Sequence, residues 1–140
     1  MMFSNIQRLH LANVRSTKYF IDANVWIYAL QGDSLLQNWE KAYSDFFYNI
    51  IESDLDPKPK ILMPTLLFSE ILNTFLKNIA LPEYKAINGI GDLTPFNYKL
   101  TYKSTQHYKD SYEKVCDDIL SLRSAILFLN DSSVVTDPPI

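Results

Sequence analysis

The order of local signals along the chain predicts an α/β domain with a central parallel sheet. Two short β-favouring runs carry that expectation, Lys18-Tyr19-Phe20-Ile21 and Ile61-Leu62-Met63, together with the helical apolar periodicity that fills the chain between and after them. Strands separated by helical crossovers pair in parallel rather than as hairpins, so the sheet is expected to be layered with helices.

Residues 1–17 read as an N-terminal extension and 18–140 as the domain. The first strand ends abruptly at Asp22. From Ala23 to Leu30, Val25, Trp26, Ala29 and Leu30 recur at helical spacing, with Gln31-Gly32 as the stop. Ser34 with Gln37 three residues on has the form of a capping box. The helix it opens is expected to run to about Ser53 on Leu35, Leu36, Trp39, Tyr43, Phe46, Phe47, Ile50 and Ile51, until Asp54 to Pro59 break it. After the second strand, Pro64 suits the first turn of a helix, where its missing N–H costs nothing. That helix continues through Leu66, Leu67, Ile71, Leu72, Phe75, Leu76 and Ile79. Leu81 to Pro95, containing Pro82, Gly89 and Gly91, reads as a looser, turn-rich stretch, and a long helix follows over Gln106–Leu122. Ala125 to Leu129 and Val134-Val135 are the remaining strand candidates. Sheets usually have about 4–6 strands, so the domain is expected to lack its C-terminal strands. An exposed sheet edge would then recruit a second copy, a homodimer.

Composition narrows the function classes. The 140 residues carry a formal net charge of −3, which argues against a broad basic nucleic-acid surface. Contact with RNA would have to be local or mediated by metal ions. The 9 Tyr and 8 Phe supply a sizeable core. Cys116, the single cysteine, cannot form an internal disulfide and reads as a small buried hydrophobe. No apolar run reaches the ~18 residues of a membrane span, and the first residues lack a signal-peptide pattern. A cytoplasmic protein with no membrane partner is expected.

Two carboxylates stand out. In open parallel sheets, ligands bind outside the carboxyl ends of the strands. Asp22 follows the first strand directly, and Glu70 lies in the helix that leaves the second, within the apolar run LLFSEILNTFL. Both could therefore reach one end of the sheet. Mg²⁺ is commonly held by one or two carboxylates plus waters and phosphate oxygens, and such a cation supports phosphodiester hydrolysis. Asn24 could cap the following helix or hold a water at the same mouth. Asn73 lies one turn beyond Glu70.

KYFIDANVWIYAL resembles the opening of PIN domains, in which a strand delivers an aspartate followed by a helix. MPTLLFSEILNTF resembles their second signature, a proline-led helix presenting a glutamate among apolar residues. The resemblance covers Lys18 to about Lys77. It implies a three-layer PIN-like fold around a central parallel sheet. It also implies an endonuclease of single-stranded RNA using Mg²⁺ or Mn²⁺, with Asp22 and Glu70 as catalytic metal ligands. Its context would be that of VapC-type toxins, which pair with an antitoxin protein. PIN domains bring further acids from their C-terminal part. Asp118 and Asp137 stand at roughly matching spacing, but only if a helix starts at Asp118; otherwise the third acid lies beyond Ile140. The alternative is a catalytically incomplete PIN-like module for RNA binding or assembly.

Other chemistries fit less well. An aspartyl-phosphate phosphatase needs a second aspartate where Asn24 stands. His10 and His107 flank no acidic or cysteine pair at ligand spacing and read as surface residues. Lys99, Lys103 and Lys109, interleaved with Tyr98, Tyr102, His107 and Tyr108, could follow an RNA backbone and stack bases, against the commoner outcome of a solvated helix face. Asn88 to Asp92, NGIGD, reads as a turn rather than a phosphate loop.

Overall fold

The computed structural model describes residues 17–91 and 94–130. They form two compact units: one includes the described residues up to Ile71 and from Ser121 onward, the other is Leu72–Leu120. The N-terminal extension lies outside the described residues except for Thr17, as do Val134, Val135 and Asp137.

The first unit is built on a three-stranded parallel sheet in the order β1-β2-β3, with β1 at Lys18–Phe20, β2 at Lys60–Pro64 and β3 at Ile126–Leu129. Phe20 pairs with Leu62 and Met63 with Phe128. The expected parallel α/β arrangement is thus present, and Ala125 to Leu129 supplies the third strand. In the central strand the alternation is that of a pleated ribbon: Ile61 and Met63 are buried, while Lys60, Leu62 and Pro64 are partly exposed.

Helix α1 (Ala23–Gln31) buries Ala23, Trp26, Ile27 and Ala29. Helix α2 (Asn38–Ile51) packs on it, with Phe47 edge-on to Trp26 at 4.7 Å and the Tyr48 hydroxyl donating to the carbonyl of Ala29. Among the described residues the indole Nε1 of Trp26 has no hydrogen-bond partner, and shape and ring contacts such as that with Phe47 hold this side chain. Gly32 ends α1 at φ 88°, ψ 149°, a backbone region open essentially to glycine.

Helix α2 starts three residues later than the Ser34 signal suggests. Asp33–Leu35 form a single 3₁₀ turn, and Gln37 is the cap. Its N–H donates to Glu40 Oε1 at 2.9 Å and its side chain accepts from the third helical N–H. Trp39 Nε1 also donates to Gln37 Oε1 at 2.8 Å. This reciprocal pair satisfies two otherwise orphaned donors, which places the boundary at Gln37. Pro64 likewise differs from expectation: it is the last residue of β2, in register with Leu129, and helix α3 (Thr65–Phe75) starts after it. A missing donor is tolerated at a strand end as readily as in a first helical turn.

In the second unit the chain continues from α3 through a π-helical turn, Leu76–Ala80, into α4 (Leu81–Ile87). The turn is marked by the Leu81 N–H bonding to the carbonyl of Leu76. The looser stretch expected from Leu81 therefore begins as helix. Pro82 sits in its first turn, where it removes no intrahelical bond. Gly89, at φ 66°, then closes α4: its N–H reaches the Ala86 carbonyl and the Ile90 N–H reaches that of Lys85 at 2.8 Å. A second π turn, Tyr98–Tyr102, is capped by Asn97, whose Oδ1 accepts from Leu100 N. Helix α5 (Gln106–Leu120) completes the unit. Its core joins Leu76, Ala80 and Tyr102, with Leu81, Tyr84, Phe96, Tyr98 and Tyr108 packed around them.

Candidate functional site

Parallel pairing of β1 with β2 fixes where the two candidate carboxylates stand. Phe20, the last residue of β1, is level with Leu62, and Asp22 follows two residues on, past the carboxyl end of that strand. Glu70 is six residues beyond Pro64, about 9 Å along the helix at 1.5 Å per residue. The start of that helix is tied to the same end, because Thr65 Oγ1 donates to the carbonyl of Leu129, the last residue of β3. Asp22 and Glu70 are both exposed, so neither carboxylate bears the desolvation cost of a buried charge.

Asp22 also has a structural task. It is the N-cap of α1, with extended backbone, and its Oδ2 accepts from Asn24 N at 3.0 Å. That bond satisfies one of the helix's unpaired amides. Its other oxygen has no part in the cap. The Asn24 side chain is exposed, and the Asn24 contact with Asp22 runs through its backbone. Tyr28, nearly two turns into α1, stays protonated well into alkaline solution: burial raises its phenol above the ordinary 10.0, and the charges of Glu40, Tyr43 and Asp22 push the same way.

Among the described residues, no three His, Cys, Asp or Glu side chains gather as a metal-holding group. Two exposed carboxylates suit a hard divalent cation that keeps most of its ligands as water and substrate oxygens, and do not make a closed protein cage. Asp118 does not open a helix. It lies near the end of α5, in the second unit, and accepts from Lys114 Nζ at 2.7 Å.

Sequence reasoning missed the polar link around His107. This residue is partly buried, with Nδ1 2.7 Å from the hydroxyl of fully buried Tyr102 and Nε2 2.9 Å from Glu83 Oε1. Glu83 is 24 residues away on α4, a separation that no local motif records. Tyr102 is fully buried and so presents no face for stacking a base. Cys116 is half-buried, and burial followed by the neighbouring Asp117 charge raises its thiol pKa, which keeps it protonated and unreactive at neutral pH. No helix among the described residues is long and apolar enough to cross a membrane. No family model, no curated protein and no solved structure matches the chain.

Proposed function

We propose that this chain is a PIN-like, metal-dependent endoribonuclease that hydrolyses phosphodiester bonds in single-stranded RNA, with Asp22 and Glu70 holding Mg²⁺ or Mn²⁺. The observation that carries this reading is the parallel β1–β2 pair, with an aspartate two residues past the end of one strand and a glutamate in the helix directly after its neighbour. A divalent cation bound there would offset the charge that develops on a phosphodiester and acidify a water. The protein's own contribution is to fix the two carboxylates. The α1 cap orients Asp22 through Oδ2, and the start of α3, held to β3 by Thr65, orients the segment that presents Glu70. A toxin role with an antitoxin partner belongs to the same reading.

A second reading is favoured by one observation, that no third acid joins the two among the described residues. On that reading the chain binds RNA or assembles with a partner without cutting. Incubation of a labelled single-stranded RNA with the full chain, with Mn²⁺ and with chelator, separates the two. The nuclease reading expects metal-dependent fragments that vanish in Asp22→Asn and in Glu70→Gln. Intact RNA that still binds would favour the binding module, and fragments that survive both substitutions would remove the assignment of the site.

A further inference from the structure

We infer that the second unit carries a contact surface for the backbone of single-stranded RNA, centred on Tyr98 with Lys77 and Lys103. Lys77 Nζ lies 5.4 Å and Lys103 Nζ 5.6 Å from the centre of the Tyr98 ring, so two ammonium groups from separate segments converge on one aromatic face or edge. Lys85 makes a similar contact with Phe96 at 5.1 Å. The two aromatic–lysine sites are joined through the ring contacts of Tyr98 with Tyr102, Tyr102 with Tyr84, and Tyr84 with Phe96. The buried Tyr102 thus serves as their common support, while Tyr98 and Phe96 remain partly exposed.

The charges around this surface call for an anion. Ion pairs among the described residues include Lys41–Asp45, His107–Glu83 and Lys114–Asp118. Lys77, Lys85, Lys99 and Lys103 take part in none of them. Charge in this unit is segregated along the chain. Residues 77–109 carry five lysines against Glu83 and Asp92, and Glu83 is engaged by His107; residues 110–118 carry four acids against Lys114. A chain of net charge −3 therefore concentrates lysines outside these ion pairs, among the described residues, where partly exposed aromatic rings also lie. Lysines that neutralise phosphates next to rings on which bases stack are the two components of sequence-tolerant single-strand binding. The choice of RNA as occupant rests on the function proposed above, whereas binding to the surface itself needs no metal.

The test is anisotropy of a fluorescent oligouridylate titrated with the full chain in chelator, over a range of salt. Lys77→Gln/Lys103→Gln is expected to weaken binding roughly tenfold at low salt and to lower the salt slope by about 0.7 for each lysine. Lys77→Arg/Lys103→Arg is expected to bind like wild type. Circular-dichroism melts of each variant confirm folding before the comparison. Wild-type protein that fails to bind in chelator overturns the proposal, as does a glutamine variant with the wild-type slope. Depletion by phosphatidylserine vesicles in place of oligonucleotide binding would also overturn it, in favour of a lipid surface. The two proposals fail separately. Binding with the lysine dependence but no cleavage in Mn²⁺ removes only the nuclease, and cleavage with unchanged binding in the glutamine variant removes only this surface.

Discussion

Asp22 is asked to do two jobs, and a pair of substitutions separates them. Asparagine caps a helix about as well as aspartate, whereas alanine leaves the Asn24 amide unsatisfied at a cost of ~0.5–2 kcal/mol. Asp22→Asn is therefore expected to melt with wild type in chelator while losing the stabilisation that Mn²⁺ gives. Asp22→Ala should melt a few degrees lower even without metal. Equal melting points for all three proteins would remove the cap, and an unchanged response to Mn²⁺ in Asp22→Asn would remove the metal ligand. At the same scale, burial raises the phenols of Tyr28, Tyr98 and Tyr102 above the ordinary 10.0, with a Ser111 hydrogen bond pulling Tyr102 partly back. Below about pH 10 these groups are protonated in both folded and unfolded chains, so their preference for the fold is fully present. Above it the unfolded chain releases protons that the fold retains, and stability falls as pH rises through the raised values. Urea midpoints measured from neutral to strongly alkaline pH should show this decline, and Tyr98→Phe should make it shallower.

The elements are delimited by particular backbone demands. Gly32 stops α1 in a conformation that a side chain resists, yet a Cβ placed there would meet nothing within 4 Å. The cost of Gly32→Ala is thus conformational rather than steric, about 1–3 kcal/mol, and a chemical-denaturation midpoint should register it. A neutral result would mean that the α1–α2 connection relaxes to another conformation. Gln37 with Glu40 sets the start of α2, and Gly89 sets the end of α4. The Gly32 stop is readable in sequence because few residues adopt positive φ, whereas Gly89 reads only as part of a turn-rich stretch, since the helix it closes is not expected there. The Gln37 start was hidden, because the nearby Ser34 offers the stronger local signal and only the reciprocal bond with Glu40 shows which residue caps.

At the scale of the molecule, each compact unit has its own aromatic centre: Trp26 with Phe47 in the first, Tyr102 with its neighbouring rings in the second. Both tryptophans, Trp26 and Trp39, belong to the first unit. Removing the buried Tyr102 ring as Tyr102→Ala should cost about 3–5 kcal/mol, as for other large aromatic truncations. The loss is expected to appear mainly in tyrosine near-ultraviolet dichroism and in helix content, with tryptophan fluorescence largely kept. Coincident loss of both signals would show that the units unfold as one cooperative body.

By itself the sequence determined the alternation of strands and helices, the parallel pairing, and the placing of Asp22 directly after a strand. Those features rest on local periodicity, on turn-forming residues and on the reach of a crossover connection. Only tertiary structure decided that Ile126–Leu129 is the third strand, since four apolar residues alone suit a buried strand or a helix segment equally well. It also decided the surroundings of single residues whose sequence neighbours say little. Tyr102 became a buried hub, His107 a bridge between α4 and α5, and Lys77 a neighbour of Lys103 across one ring. Each of these joins residues far enough apart in the chain that no short window contains both partners, and burial against the rest of the unit selects among the pairings that local propensity leaves open.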